Sequence, residues 1–166
     1  MFEGGRPLVL GGRRQRVVLG VLLAHADEVV TTDRLIDDVW GEQPPETARK
    51  SLQVYVSRLR KILGEGVIEA QGSGYVLRIE PDQLDADRFE RLAREGHDLV
   101  RSDPAGAASM LREALSLWRG MPWSDIADEP ALRPAVERLA ELRLATVEDR
   151  IEADLGLGRA ATVVGE

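Results

Sequence analysis

Pro45-Glu46-Thr47-Ala48-Arg49-Lys50-Ser51-Leu52-Gln53-Val54-Tyr55-Val56-Ser57-Arg58-Leu59-Arg60-Lys61-Ile62-Leu63-Gly64 is the stretch that decides how this chain folds. At about 100° per residue, Ala48, Leu52, Tyr55, Val56, Leu59, Ile62 and Leu63 share one side of a helix expected over about Glu46 to Leu63. Lys50, Gln53, Val54, Ser57 and Lys61 share the other side, with Arg58 and Arg60 flanking it. Arg49, Lys50, Arg58, Arg60 and Lys61 stand against the single acid Glu46. A helix that merely faces solvent usually interleaves both signs, so a base-rich outer face points to a polyanion.

Working outward, Pro44-Pro45 imposes an extended linker. Before it, Thr31 or Thr32 is placed to cap a short helix carrying Leu35, Ile36, Val39 and Trp40 inward and ending at Gly41. Val29-Val30 reads as a brief extended piece, and Arg14 to Ala26 as a first helix with Val17, Val18, Val21, Leu22 and His25 at helical spacing. Leu8-Val9-Leu10 is a short strand candidate. After the basic helix, Gly64 and Gly66 stop it, and Val67-Ile68, Gln71-Gly72-Ser73-Gly74 and Tyr75 to Ile79 read as strand, turn and strand. A short helix, a tight linker and a base-rich helix form a helix-turn-helix, whose second helix enters the DNA major groove. Between its bases that helix offers Gln53 for adenine edges, Ser57 for mixed groups and Val54 for the thymine methyl. The Gly-rich hairpin tip follows where it reaches a nucleic-acid backbone.

The chain of 166 residues is 43 % hydrophobic, enough to bury a core and too apolar for intrinsic disorder. Its net charge of −7 is uneven: residues 1–80 balance 11 bases with 11 acids, while residues 81–166 hold 11 and 18. With no Cys there is no disulfide framework and no Cys-ligated metal. The longest apolar stretch, Val17 to Ala24, is too short to span a bilayer, and no signal-peptide core opens the chain, so a soluble protein of the cytoplasm, associated with the nucleoid, is expected. Pro81 to Ala86 is the expected boundary. Beyond it Asp87 starts a helix with Phe89, Leu92, Ala93, Leu99 and Val100. Asp103-Pro104 starts another with Ala107, Ala108, Leu111, Ala114, Leu115 and Trp118. A third covers about Pro130 to Leu155, with Leu132, Val136, Leu139, Val147, Ile151 and Leu155. Arg159 to Glu166 reads as the beginning of a fourth, so the chain is expected to end inside a helical repeat. The expected fold class is mainly α with a small β component. A winged helix-turn-helix domain (1–80) and a linker (81–86) precede an all-α tetratricopeptide-like domain (87–166).

Catalytic constellations are thin. His25 and His97 form no metal motif, and no nucleophile elbow or phosphate loop is present. Asp82, Asp85 and Asp87 lack the Gly and terminal Glu of a calcium loop and read as capping acids. No catalytic, cofactor-binding or metal residue is assigned, and an enzyme is the weaker reading.

Leu52-Gln53-Val54-Tyr55-Val56-Ser57-Arg58-Leu59-Arg60-Lys61, preceded by Asp33-Arg34-Leu35-Ile36-Asp37-Asp38-Val39-Trp40-Gly41 and followed by Gly74-Tyr75, resembles the OmpR-type winged helix of the Streptomyces antibiotic regulatory protein family. Phe89-Glu90-Arg91-Leu92, Leu115-Ser116-Leu117-Trp118-Arg119-Gly120, Glu141-Leu142-Arg143-Leu144-Ala145 and Asp149-Arg150-Ile151-Glu152-Ala153-Asp154-Leu155 resemble the bacterial transcriptional activation domain that follows it there. The resemblance implies an activator that binds direct repeats in double-stranded DNA at promoters, as a homodimer, recruits RNA polymerase and controls a secondary-metabolite gene cluster. It implies Lys50, Gln53, Val54, Ser57, Arg58 and Lys61 as DNA-facing. Arg49 and Arg60 of the basic cluster and Ser73 and Tyr75 of the hairpin complete the candidate site. The family's first strands are short or missing before Leu8, and Gln71 stands where related wings often carry a base. The competing reading is a helical-repeat protein-interaction module without DNA binding, which a steep fall of affinity with salt would exclude.

Overall fold

The computed structural model describes residues 9–80 and 83–158, together with the backbone of Phe2–Glu3 and Arg6–Pro7. Two short strands, β1 (Phe2–Glu3) and β2 (Arg6–Pro7), pair antiparallel. Helix α1 (Arg13–Ala24), strand β3 (Val30–Thr31), helix α2 (Thr32–Trp40) and helix α3 (Ala48–Leu63) follow. The hairpin is β4 (Ile68–Gln71) and β5 (Gly74–Leu77), and α4 (Asp85–Leu99), α5 (Pro104–Ser116) and α6 (Arg133–Gly156) complete the order. Among the described residues no helix is long and apolar enough to cross a membrane.

Local chemistry explains most boundaries. The Thr31 hydroxyl accepts the Arg34 N–H at 3.2 Å, capping α2, and Asp103 accepts the Gly106 N–H at 3.0 Å in front of Pro104. His25 is the C-cap of α1. Helix α3 begins at Ala48, two residues after the expected Glu46, because Pro45 instead receives the Ala48 N–H at 2.8 Å in a preceding turn. Helix α4 begins at Asp85, within the expected linker, where Asp85 and Asp87 suit the positive end of the helix dipole. Of the expected Leu8-Val9-Leu10 strand, Leu8 lies outside the described residues and Val9-Leu10 is not strand. The expected helix over Arg159 to Glu166 and Asp82 also lie outside them.

The chain divides into two compact units, Met1–Ile79 with Trp123–Ala135, and Glu80–Pro122 with Val136–Glu166. In the first, β3, β5 and β4 form an antiparallel sheet in that order, with Val30 opposite Tyr75 and Ile68 opposite Leu77. Its core takes Val17, Val18 and Leu22 from α1, Leu35 from α2, Leu52, Val56 and Leu59 from α3, and Ile68 and Leu77 from the hairpin. Ile126 and Leu132 enter the same core, although the sequence pattern assigns Leu132 to the third helix of the second half. They seat over Gly20, where a Cβ would stand 2.9 Å from Leu132 Cδ1 and 3.3 Å from Ile126 Cδ1.

This returning segment is also held by charge. Arg13 meets Asp128 at 2.8 Å and Glu129 at 2.6 Å, and Arg16 meets Asp125 at 2.5 Å. Arginines in the first turn of a helix oppose its dipole, and the three acids offset Arg13 and Arg16. The Arg13 hydrogen bond holds the Asp128 carboxyl below the usual carboxylate range. Solvent reaches and screens these partly exposed pairs, so the buried Ile126 and Leu132 side chains carry most of the attachment.

In the second unit α4 packs on α5, and Gly96 admits Leu111, whose Cδ2 would stand 2.5 Å from a Cβ there. Phe89 and Trp118 meet edge to face with centroids 5.4 Å apart, and the Arg143 guanidinium lies 5.3 Å from the Trp118 centroid. Ala153 joins Val100, Ala107, Ala108 and Leu111 in a small core. Arg112 pairs the buried Asp154, and His97 meets Asp149 at 2.9 Å.

Two outcomes test this packing. Leu132→Ala should destabilise the first unit by about 2–5 kcal/mol, read by hydrogen exchange as lost protection in α1; unchanged α1 protection would contradict the packing. The Asp149 hydrogen bond raises the His97 pKa above its ordinary 6.5. The contribution is therefore full below that value and fades as pH rises through the raised one. The thermal midpoint of His97→Ala should fall short of the wild-type value by more at about pH 5.5 than at about pH 9.

Candidate nucleic-acid interface

Burying Ala48, Leu52, Val56 and Leu59 fixes which side of α3 meets solvent. Lys50, Gln53, Val54, Ser57, Arg58 and Lys61 are all exposed on that side, the apolar Val54 at 41 %. Arg60 and Lys61 in the last turn suit the helix dipole, and Gly64, at φ 108°, ends the helix with its N–H on the Arg60 carbonyl at 2.8 Å. Tyr55, on the half-buried flank, stacks on Trp40 of α2 with centroids 6.2 Å apart. That contact helps set the angle between the two helices.

The remaining candidates separate. Arg49 reaches back to Asp33 in the first turn of α2 at 2.6 Å, an exposed pair. Arg60 is half-buried, and its Nε donates to the Ile68 carbonyl at 2.7 Å. Ser73 is exposed at the hairpin tip, and its carbonyl accepts the Thr32 N–H at 3.0 Å, tying the tip to the start of α2. Tyr75 packs, half-buried, against the core and lies opposite Val30, so its ring is less available than its sequence position implies. Sequence reasoning missed Asp33 and the Ile68 carbonyl as partners. An acid sixteen residues earlier in the chain leaves no spacing signal, and neither does a backbone acceptor.

Gly74 is required by a close approach. A Cβ there would collide with the Val30 carbonyl and stand 2.8 Å from Thr31 Cα. The hairpin turn itself uses Gly72 at φ 57°. Helix α3, the hairpin and the N-terminus of α2 are thus bound into one frame, presenting a base-bearing helix face and a neutral tip, Gln71-Gly72-Ser73-Gly74. Lys50, Arg58 and Lys61 place positive charge on that face, and Gln53, Val54 and Ser57 place polar and small apolar groups between them, a combination chemically suited to phosphates and base edges.

Residues 5–77 match the family described as transcriptional regulatory protein, C terminal, and residues 84–166 match the bacterial transcriptional activator domain. The regulatory protein DnrI of Streptomyces peucetius is 36 % identical over 93 % of this chain and 61 % of its own length. The regulatory protein AfsR of Streptomyces coelicolor is 37 % identical over 99 % of this chain and 17 % of its own length. A solved structure of Mycobacterium tuberculosis EmbR in complex with a low-affinity phosphopeptide superposes with a TM-score of 0.91 at 33 % identity, covering 97 % of this chain and 44 % of that one. The chain thus spans only part of the length of each of these relatives.

Gly74→Ala should cost on the order of 1–3 kcal/mol by forcing β5 from β3. The cost should appear in chemical denaturation and as lost amide protection at Thr32; a neutral result would contradict the close approach.

Proposed function

Because the chain belongs to the Streptomyces antibiotic regulatory protein family, joining an OmpR-type DNA-binding domain to a bacterial transcriptional activator domain, we propose that it is a sequence-specific DNA-binding transcriptional activator. The observation that carries this reading is the outer face of α3, where Lys50, Gln53, Val54, Ser57, Arg58 and Lys61 are exposed together while the opposite stripe is buried. A helix of this kind lies in the major groove, about 12 Å wide, with its cations at the phosphates and its short side chains at the base edges. The hairpin tip at Ser73 then lies along the backbone as the wing.

The acidic second half has a different task. Its charge of −7 repels phosphate, so it serves protein contacts: pairing of two copies on direct repeats and recruitment of RNA polymerase. Membership of the Streptomyces antibiotic regulatory protein family is what supports control of a secondary-metabolite gene cluster.

Two bases test the assignment separately. Arg58 has the reach and fork for guanine O6 and N7, so Arg58→Ala should cost about 1–3 kcal/mol on the cognate site and relax preference at one base pair. Lys61, near the helix C-terminus, is placed for a phosphate. Lys61→Ala should weaken cognate and scrambled duplexes alike and lower the salt slope by about one unit. Gel shifts on both duplexes over a salt series read these outcomes. If neither change matters, α3 is only a solvated face; equal weakening by Arg58→Ala on both duplexes contradicts its base-reading role.

A further inference from the structure

Arg60 belongs by composition to the cluster of DNA-facing cations, and its surroundings give it another task. Its side chain is half-buried, and Nε donates to the carbonyl of Ile68, the first residue of β4. Strand parity explains why that carbonyl is free. The Arg78 N–H donates to the Val67 carbonyl at 2.8 Å, which makes residues 67 and 78 a hydrogen-bonded rung. Ile68 opposite Leu77 is the next rung, so its main-chain groups point away from β5. In the order β3-β5-β4, β4 is the edge strand, and no further described strand lies on that side. The Ile68 side chain is fully buried, which anchors the carbonyl in place. The main chain of Arg60 joins the same closure, since its own carbonyl takes the Gly64 N–H. Both ends of Arg60 therefore clamp the short connection from the basic helix to the hairpin.

We propose that Arg60 is a positioning residue that sets the angle of the wing against the recognition helix, and that it is not one of the cations paired with phosphate. The proposal rests on the reading of α3 and the hairpin tip as the DNA-binding surface. A guanidinium suits the role because Nε sits one bond before the charged fork and reaches the edge carbonyl from the side. A lysine stem carries no donor at that point.

The test uses the whole chain on a promoter duplex, with hydroxyl-radical footprints and the salt dependence of affinity read together. Arg60→Met keeps the apolar stem and removes the donor. It should lose the footprint made by the hairpin tip, keep the one made by α3, and weaken binding about tenfold. The salt slope should not change, since Gln71-Gly72-Ser73-Gly74 carries no cation. Arg60→Lys should behave like Arg60→Met despite keeping the charge, which also guards against a methionine variant that folds poorly. A slope lowered by about one unit in Arg60→Met and restored in Arg60→Lys would make Arg60 a phosphate contact and overturn the proposal. Unchanged footprints in both variants would overturn it as well. Lys61→Ala is the control: its lowered slope upholds the DNA-binding surface whatever Arg60 does, and loss of the slope change there would fault the surface itself.

Discussion

Everything at the proposed DNA surface depends on the burial of one side of α3. Leu52 and Leu59 are fully buried and Val56 nearly so, against α1 and the hairpin. Each such side chain stabilises the unit by roughly 1.5–3 kcal/mol, far more than any one exposed charge on the helix contributes. A rotation of α3 about its axis would expose these residues before it moved Arg58 or Lys61 usefully. The apolar stripe therefore holds the polar face in place.

A second constraint comes from 123–135. The helix-turn-helix unit is completed by a segment that lies after α5 in the chain, with Leu132 plugged over Gly20 and Arg13 and Arg16 tied to three acids. The first turn of α6, Arg133–Ala135, belongs to this unit, while the rest of the helix belongs to the other. Within this unit, α1 in turn packs against α3.

Much of this was legible in the sequence, for a physical reason. The caps at Thr31 and Asp103-Pro104, the stops at Gly41 and Gly64 and the stripe of α3 are local signals, and local signals survive without knowledge of the fold. Leu132 was misassigned because it is in phase with Val136 and Leu139, and periodicity cannot tell which core a residue enters. Arg49 and Arg60 looked equivalent to Arg58 because charge reads the same whether a side chain faces solvent, Asp33 or a carbonyl. The partner of Arg60 is main chain, and no residue type announces an edge-strand acceptor.

The most direct test of the central claim is a chemical-shift map of the whole chain titrated with its promoter duplex. The account predicts perturbations concentrated at Lys50, Gln53, Val54, Ser57, Arg58 and Lys61 and at the hairpin tip around Ser73, with the inner residues Leu52 and Leu59 little changed. Perturbations concentrated in α4 and α5 instead, with the outer face of α3 silent, would contradict it.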